Sequence, residues 1–305
     1  MEKKSGSIKR AIQNRTIIDK LFLEISKIAG FSDEVVVAVQ QRRKQLLRMK
    51  KKYSYVIDKS TYEITRNKSD CNIIWFCWLQ GIDKAPDLVR SCYKSIERST
   101  TGTNWVIKVI DETNIYDYVS FPDYIIKKYE SGIITRTHFS DLLRMELLIK
   151  YGGIWADSTV FMTGAIPEYC YNGDFFTFNH GYRHDDSIVF ESWFIYSIPK
   201  HPLLLTTRDL IYEYWKRHNF LNEYFLFHLM FTIASEKYID IWNEVPFYTD
   251  LVPHVLSHEL FDPFDKERFD EIKRMSVIHK LSNRMDIPND YKNTYYDYLI
   301  RGELI

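Results

Sequence analysis

The sequence has few of the features that mark secreted or membrane-spanning proteins. Its 305 residues include four cysteines, which form no CxxC pair, so neither a disulfide scaffold nor a cysteine-rich metal site is indicated. No apolar stretch approaches the roughly 18 residues of a membrane-spanning helix, and no apolar segment follows the charged start as in a secretory signal. We therefore expect reduced thiols, a cytoplasmic location and at most peripheral membrane contact.

The chain also lacks an excess of charge of either sign. Lysine plus arginine equal aspartate plus glutamate at 41 each, which gives no reason to expect a nucleic-acid partner. Residues 42–52, here called the basic run, are the exception, with seven basic residues and no acid. This composition is typical of a solvated helix end, where cations complement the helix dipole, and it would also suit an anionic membrane or an acidic polymer.

Hydrophobic patterning predicts an α/β fold. The apolar segment NIIWFCWLQG (72–81) predicts a strand buried on both faces, a helix follows over about 86–98, and WVIKVIDE (105–112) predicts a second strand. Strand, helix, strand is the unit that builds a parallel sheet. Further predicted elements are a helix over 138–153, strands over 154–162, 174–180, 187–197 and 275–281, and helices over 202–217 and 223–235.

The sequence contains no repeat, low-complexity region or Pro/Gly/Ser-rich linker that would divide it cleanly. Residues 8 to about 50 have apolar residues at helical spacing, with a break at Gly30 and a capping Ser32 or Asp33. We therefore predict a helical N-terminal extension, residues 1–66, that carries the basic run. One α/β domain, residues 67–305, follows it.

Three predicted strands end in polar residues: Gln80-Gly81, Asp111-Glu112 and Asp157-Ser158-Thr159. Ligands of open α/β sheets bind beyond the carboxyl ends of the strands, so these residues are expected to share one cleft. For Asp111 and Glu112, a strand that simply reaches the surface explains the polarity equally well.

Asp157 needs a partner, because a carboxylate that is desolvated at the end of an apolar segment is costly when unpaired. Asp141 and Arg144 lie three residues apart and therefore share one helix face. Gly152 and Gly153 allow a tight reversal that returns Asp157 toward them. Two carboxylates and a guanidinium suit a sugar phosphate, since carboxylates accept from hydroxyls and guanidinium pairs with phosphate.

The segment FSDLLRMELLIKYGGIWADSTVFM (139–162) resembles the capsular polysaccharide synthesis proteins. More distantly it is similar to sugar transferases with a DXD motif, including yeast mannosyltransferases and the clostridial glucosylating toxins. The likeness covers roughly residues 70–165 and continues weakly to SVIHKLS in the tail. It implies a GT-A fold, with a mostly parallel sheet flanked by helices.

The resemblance also implies an activity. It is transfer of a sugar from a nucleotide-diphosphate donor to a saccharide acceptor, which could be lipid-linked, with retention of anomeric configuration. The setting would be bacterial capsule or surface polysaccharide synthesis, at the cytoplasmic face of the membrane.

By this resemblance, Asp141 and Arg144 contact the donor sugar, and Asp157 is the first aspartate of the DXD motif. The second aspartate, which binds Mn²⁺ or Mg²⁺ on the diphosphate, is replaced by Thr159, and a hydroxyl is a poor ligand for a hard cation. Metal binding through Asp157, Thr159 and a histidine of the tail, His279, is one expectation.

The other expectation is that Lys280, next to that histidine, neutralises the diphosphate directly. The candidate donor-binding residues are Gln80, Gly81, Asp111, Asp157 and Lys280.

Acceptor-side candidates are less distinct, because aromatic packing and a helix-start acid explain several of them equally well. They are Asn179, His180, Glu191, Trp193, Glu223 and Tyr224. The departure at Thr159 also keeps open a second function, that of a catalytically silent subunit that binds a nucleotide sugar or carbohydrate. Nucleic-acid binding is poorly supported, because the basic run is short and has no interleaved aromatics.

Overall fold

The computed structural model describes residues 34–65, 71–181 and 185–304, together with three isolated helical positions, Ile12, Ile17 and Leu21. The predicted break at Gly30 and its cap at Ser32 or Asp33 lie outside the described residues. The strands, numbered in chain order, are β1 (Ile73–Cys77), β2 (Val106–Ile110), β3 (Gly153–Ala156), β4 (Val160–Met162), β5 (Phe175–Thr177), β6 (Phe194–Ser197) and β7 (Ile278–Lys280).

The helices of the described residues surround these strands. They are α1 (Glu34–Lys52), α2 (Ser54–Lys59), α3 (Asp87–Thr100), α4 (Ile115–Tyr118), α5 (Asp123–Glu130), α6 (Arg136–Tyr151), α7 (Pro202–Arg217), α8 (Leu226–Lys237), α9 (Ile239–Asn243), α10 (Val255–His258), α11 (Lys266–Met275) and α12 (Tyr295–Ile300).

Five strands form the main sheet, in the order β2-β1-β3-β6-β5. β1 is parallel to both β2 and β3, whereas β6 is antiparallel to its neighbours β3 and β5, so four of the five strands run in one direction. The predicted α/β fold with a mostly parallel sheet flanked by helices is therefore confirmed. β4 and β7 pair antiparallel in a second, two-stranded sheet.

The hydrophobic core lies on both faces of the main sheet, which is why β1 has no polar alternation. Trp75 and Cys77 belong to the cluster that includes α6, α7 and α8. Ile74 and Phe76, whose side chains point the other way, belong to the cluster that includes α3 and α11. β1 is thus held in place by helices on either side.

The strand predicted over 154–162 is wrong as a single element. The chain leaves the main sheet after Ala156, turns through Asp157 to Thr159 with a hydrogen bond from Val160 N to Asp157 O of 2.9 Å, and enters the second sheet as β4. The apolar pattern continues across the turn because β3 and β4 are both buried. The prediction over 187–197 was likewise too long, since only its last four residues form a strand.

α1 packs against α8, and its residues Leu46 and Met49 join the same cluster as Trp75. Three cations of the basic run form ion pairs within the molecule: Arg42 with Asp185, Arg43 with Asp186 and Lys50 with Glu236. In the part of the chain that is described, no helix has both the length and the apolar character to cross a membrane.

Candidate active site

Gly152 and Gly153 end α6 and start β3 in backbone conformations that favour glycine, with φ of 68° and 91°. A Cβ on Gly153 would lie 2.3 Å from the Ile73 carbonyl oxygen, and one on Gly152 would lie 2.7 Å from the Ser197 carbonyl oxygen. The chain therefore passes too close to β1 and β6 for any side chain. Trp75 Nε1 fixes the turn by donating to the Gly152 carbonyl at 2.9 Å.

Asp157 follows β3 directly, at the carboxyl edge of the main sheet. Its backbone N–H donates to the Trp193 carbonyl at 2.8 Å, which anchors the turn to the chain before β6. One carboxylate oxygen, Oδ1, accepts from Trp155 Nε1 at 2.8 Å and from Arg144 Nη2 at 3.1 Å. The other, Oδ2, lies 3.7 Å from Lys280 Nζ. Asp157 thus accepts hydrogen bonds through one oxygen, while the other forms a longer ion pair with Lys280.

Arg144 is the buried cation that pairs with the partly exposed carboxylate of Asp157. Only 4% of this residue is exposed, and its Nη1 lies 3.2 Å from Asp141 Oδ1 while Nη2 contacts Asp157. Its guanidinium carbon lies 5.0 Å from the centroid of the Trp155 ring. Asp141, Arg144 and Asp157 therefore lie together, joined through the guanidinium.

Asp141 is held from behind by an imidazole. Trp215 Nε1 can only donate, and it donates to His138 Nε2 at 2.9 Å, so the His138 proton is on Nδ1, which lies 3.4 Å from Asp141 Oδ2. Burial opposes ionisation of Asp141, but Arg144 and His138 outweigh it, and the pKa of the carboxyl lies below its ordinary value. Asp141 is therefore an ionised support for Arg144.

A cavity of about 550 Å³ opens beyond the carboxyl ends of β1 and β3. Among the described residues, four cationic side chains and a single carboxylate, that of Asp157, line it, so their charge favours an anionic ligand. The cations are Arg136, Arg144, Lys280 and Arg284. Hydroxyl groups of Thr137, Ser140, Ser158, Thr159, Ser257 and Ser282 also lie on the wall.

Lys280 lies against the motif residues on this wall. Its Nζ donates to Thr159 Oγ1 and, at 3.2 Å, to the Leu281 carbonyl. β7 fixes this position, because Lys280 pairs with Val160 in the β4–β7 ladder and Leu281 N donates to the Thr159 carbonyl at 2.9 Å. A lysine ammonium therefore lies beside both side chains that the DXD likeness assigns to a metal.

His279 does not reach the cavity. Neighbouring strand residues point to opposite faces, so the imidazole turns inward where Lys280 turns to the cavity. It is fully buried, its Nε2 lies 3.1 Å from Thr163 Oγ1, and burial lowers its pKa to about 4. The three residues that the likeness assigns to a metal therefore do not fit one together: the Asp157 carboxylate is already paired, the Thr159 hydroxyl accepts from an ammonium, and His279 lies outside the cavity.

The remaining donor-side candidates differ in whether they line the cavity. Gln80 lines the cavity, and Gly81 follows it in a turn with φ of 84°. Asp111 does not line it. Its carboxylate accepts from Thr113 N at 2.8 Å and from the Thr113 hydroxyl, and these bonds lower its pKa. Asp111 thus stabilises the turn after β2.

Of the acceptor-side candidates, Tyr224 lines the cavity. Trp193 is buried and stacks on Phe178, with ring centroids 4.7 Å apart. Glu223 accepts from Phe225 N at 3.2 Å just before α8, and Asn179 Oδ1 accepts from Tyr248 N at 3.0 Å. These last three side chains have structural contacts in place of cavity positions.

His180 and Glu191 lie together with Asp250 in a second polar group. The His180 Nδ1 to Glu191 Oε1 distance is 2.5 Å, and one ligand atom from each residue lies within 4.8 Å of the others, as a metal ion would require. Burial and the Glu191 charge raise the pKa of Asp250, whereas the pKa of His180 is raised by Glu191 against the effect of burial. A protonated His180 can therefore serve as the cation of this group.

Sequence reasoning missed several residues of the cavity wall, among them the ionisable side chains of Arg136, His254 and Arg284. Arg136 starts α6, and Arg284 follows β7, so both come directly at element ends that reach the cavity. His254 Nδ1 lies 2.6 Å from the Asp250 carbonyl, which can only accept, so its proton is on Nδ1. Its spacing from other polar residues gives no signal in the sequence.

Fold and cavity together define an α/β protein with a cationic, hydroxyl-rich ligand cavity at the carboxyl edge of a mostly parallel sheet. The chain belongs to the capsular polysaccharide synthesis protein family, whose model matches residues 28–299. The resemblance drawn from residues 139–162 is thus confirmed.

Two individual proteins are also similar to this chain. The O-glycosyltransferase braB of Annulohypoxylon truncatum is 31% identical over 113 residues, which are 34% of this chain. The match spans only 26% of that protein's length. The solved structure of the PaToxG glycosyltransferase shares 15% identity with a TM-score of 0.34, covering 68% of this chain and 83% of that one.

Proposed function

We propose that the protein is a glycosyltransferase that moves a sugar from a nucleotide-diphosphate donor to a saccharide acceptor in capsular or surface polysaccharide synthesis. The observation that carries the proposal is the cavity wall, where four cations and a row of hydroxyls surround the single carboxylate of Asp157. Cations suit a diphosphate, and a carboxylate oxygen suits sugar hydroxyls. The family membership and the name of the braB relative support the same reaction class.

The costly event in such a transfer is departure of the nucleotide diphosphate, because negative charge grows on the leaving oxygen as the sugar becomes oxocarbenium-like. Lys280 and Arg284 are placed on the wall where they would stabilise this charge. Oδ2 of Asp157, which lies 3.7 Å from Lys280 Nζ, would accept from a donor hydroxyl, while Arg144 and Trp155 hold Oδ1. These residues therefore bind and orient the donor without acting as a nucleophile.

Retention of anomeric configuration belongs to the proposal. It would follow from attack by an acceptor hydroxyl on the face that the diphosphate leaves. Tyr224 on the cavity wall is 59% exposed, and its ring offers a surface on which an acceptor sugar could stack. We also place the protein in the cytoplasm, at the inner face of a bacterial membrane, where a lipid-linked acceptor would be reached.

The alternative is a catalytically silent subunit, and the threonine at 159 with its lysine neighbour favours it specifically, since the metal site of the DXD motif is missing. The two functions differ in whether a bond is broken. The transferase must bind a nucleotide sugar, whereas the silent subunit binds either a nucleotide sugar or a carbohydrate.

The test is a panel of nucleotide sugars, scored first by thermal shift, because a ligand that binds only the folded state raises its stability. Donors that bind are then assayed for release of nucleoside diphosphate. We expect release from the wild type and a loss of about a hundredfold or more in Asp157→Asn, since one neutral amide removes the ligand-facing charge.

Asp240→Asn, at an exposed position of α9, is the matched control and should keep full activity. Binding without release across the panel, with an intact protein, would select the silent subunit. No binding of any nucleotide sugar would refute the transferase and would leave, of the alternative, only a subunit that binds carbohydrate.

A further inference from the structure

We infer that Lys280 is the resident cation of the donor site, and that the site binds the diphosphate of a nucleotide without a divalent metal. The inference rests on the proposed function and names how its donor is held. It starts from the disagreement between the DXD likeness, which implies a metal, and the side chains that the chain places there.

The cavity wall provides few of the ligands that a divalent metal needs. A hard divalent cation prefers charged oxygen ligands, and in the described part of the chain Asp157 is the one carboxylate on this cavity wall. Its Oδ1 already accepts from Trp155 and Arg144. Thr159 Oγ1 accepts from Lys280, and a metal ion beside it would have to displace the ammonium. The described wall thus offers a metal one carboxylate and the imidazole of His254, with the Thr159 hydroxyl already engaged, which is a weak ligand set for a hard cation.

The positive charge of Lys280 lies where the metal would bind. Lys280 Nζ lies 3.7 Å from Asp157 Oδ2 and is hydrogen-bonded to Thr159, so it occupies the space between the two motif side chains. A divalent ion placed there would meet the ammonium at close range, and the buried guanidinium of Arg144 lies on the other side of Asp157. Like charges this close repel strongly, whereas the two anionic groups of a diphosphate would be attracted.

The position of the Lys280 ammonium is fixed by hydrogen bonds. Lys280 is part of β7, and its backbone N–H donates to the Pro253 carbonyl at 2.9 Å while Leu281 N donates to the Thr159 carbonyl. Two of the three ammonium protons are used by Thr159 and the Leu281 carbonyl. One donor is left for a ligand oxygen, at a position set before the ligand arrives. A preorganised point charge of this kind does what a bound metal does for a leaving diphosphate.

The experiment measures binding of UDP and GDP by calorimetry in excess EDTA and in excess Mn²⁺. We expect the same affinity for the better ligand in both. Lys280→Met should weaken binding about ten- to a hundredfold, the effect of one charged hydrogen bond, and Lys280→Arg should retain most of it. Lys292→Met, at an exposed position outside the cavity, is the control and should bind normally.

A double variant tests whether a metal can replace the Lys280 ammonium. Thr159→Asp combined with Lys280→Met restores a DXD motif and removes the competing ammonium, so binding should return only with Mn²⁺. Circular dichroism and thermal unfolding verify that each variant is folded. Recovery in EDTA, or wild-type affinity in the single Lys280→Met variant, would overturn the assignment to Lys280.

A metal bound by the His180–Glu191–Asp250 group is distinguished from one at the donor site by repeating the comparison of EDTA with Mn²⁺ in His180→Ala. Wild-type binding that requires Mn²⁺ and still does so in this variant overturns the inference while leaving the proposed function intact. A gain in affinity with Mn²⁺ that disappears in His180→Ala, while binding in EDTA is unchanged, assigns the metal to that group and supports the metal-free donor site. Failure to bind either nucleotide in any condition counts against the proposed function itself.

Discussion

Arg144 is a buried guanidinium that contacts carboxylates from two different elements, Asp141 in α6 and Asp157 after β3. A buried cation is tolerated only when it is paired, and the same holds for the two acids. The side chain therefore serves the fold and the site together. It neutralises Asp141 in the interior and turns one oxygen of Asp157 away from the cavity.

Replacing this residue should destabilise the whole protein. Arg144→Met leaves two carboxylates without their shared cation, and we expect the free energy of unfolding to fall by about 3–5 kcal/mol. Urea denaturation measures the change. Arg98→Met, at an exposed position of α3, is the control and should cost no more than about 0.5 kcal/mol. A loss at Arg144 as small as that of the control would contradict the role given to it.

At the scale of elements, the connection between α6 and β3 determines where the carboxylate of Asp157 lies. The two glycines let β3 run directly alongside β1, and Asp157 follows four residues later at the sheet edge. Moving this strand would separate Asp157 from Arg144, because the guanidinium is fixed by α6.

Gly153→Ala tests this connection. The added Cβ would meet the Ile73 carbonyl at 2.3 Å in a backbone conformation that alanine rarely adopts, so we expect a loss of at least about 2 kcal/mol of unfolding free energy. Gly102→Ala also has positive φ but meets no atom within 4 Å, and should lose only about 1 kcal/mol. Chemical denaturation of both variants gives the comparison. Equal losses would show that close approach to β1 does not matter.

The elements also show how far the sequence can be interpreted. β1, β2 and α6 were predictable because each has a long apolar pattern with clear end signals, and the glycine pair directed Asp157 toward Arg144. The break between β3 and β4 was not, since both strands are buried and the hydrophobic pattern runs through the turn. Helices α5, α11 and α12 went unpredicted because they are short and largely polar or aromatic.

The cavity was predictable only in part, for a related reason. Asp157 and Gln80 follow strands, where topology alone brings side chains together, whereas Lys280 was predicted through the family resemblance of the tail. His279 and Lys280 differ by one position in β7, and only the strand register decides which of them faces the cavity. His254 reaches the wall from an irregular segment whose path depends on tertiary contacts.

At the scale of the whole molecule, two fully buried histidines make stability depend on pH. Burial lowers the pKa of both His201 and His279 to about 4. In the unfolded chain their ordinary pKa is near 6.5. Between these values the unfolded state binds protons that the folded state does not, so stability falls as the pH falls.

We expect each histidine to remove up to about 3 kcal/mol of unfolding free energy between about pH 6.5 and pH 4. Asp141 adds to this at the acid end, because its lowered pKa contributes stability that is lost as the pH falls through the folded value. Urea denaturation across this range measures the slope. His279→Gln should flatten it, whereas His258→Gln, at an exposed position, should not. A stability independent of pH above pH 4 would contradict the buried, neutral imidazoles.

The basic run holds α1 to the rest of the molecule through intramolecular ion pairs. Arg42 reaches a carboxylate that is far away in sequence and wholly inaccessible to water, that of Asp185, whereas Arg43 and Lys50 pair with acids at the surface. Added salt screens the outer two pairs and scarcely reaches the inner one. The basic run thus attaches α1 to the rest of the molecule partly through an ion pair in the interior. We expect α1 to stay packed at salt concentrations that would release a helix held by surface ion pairs alone.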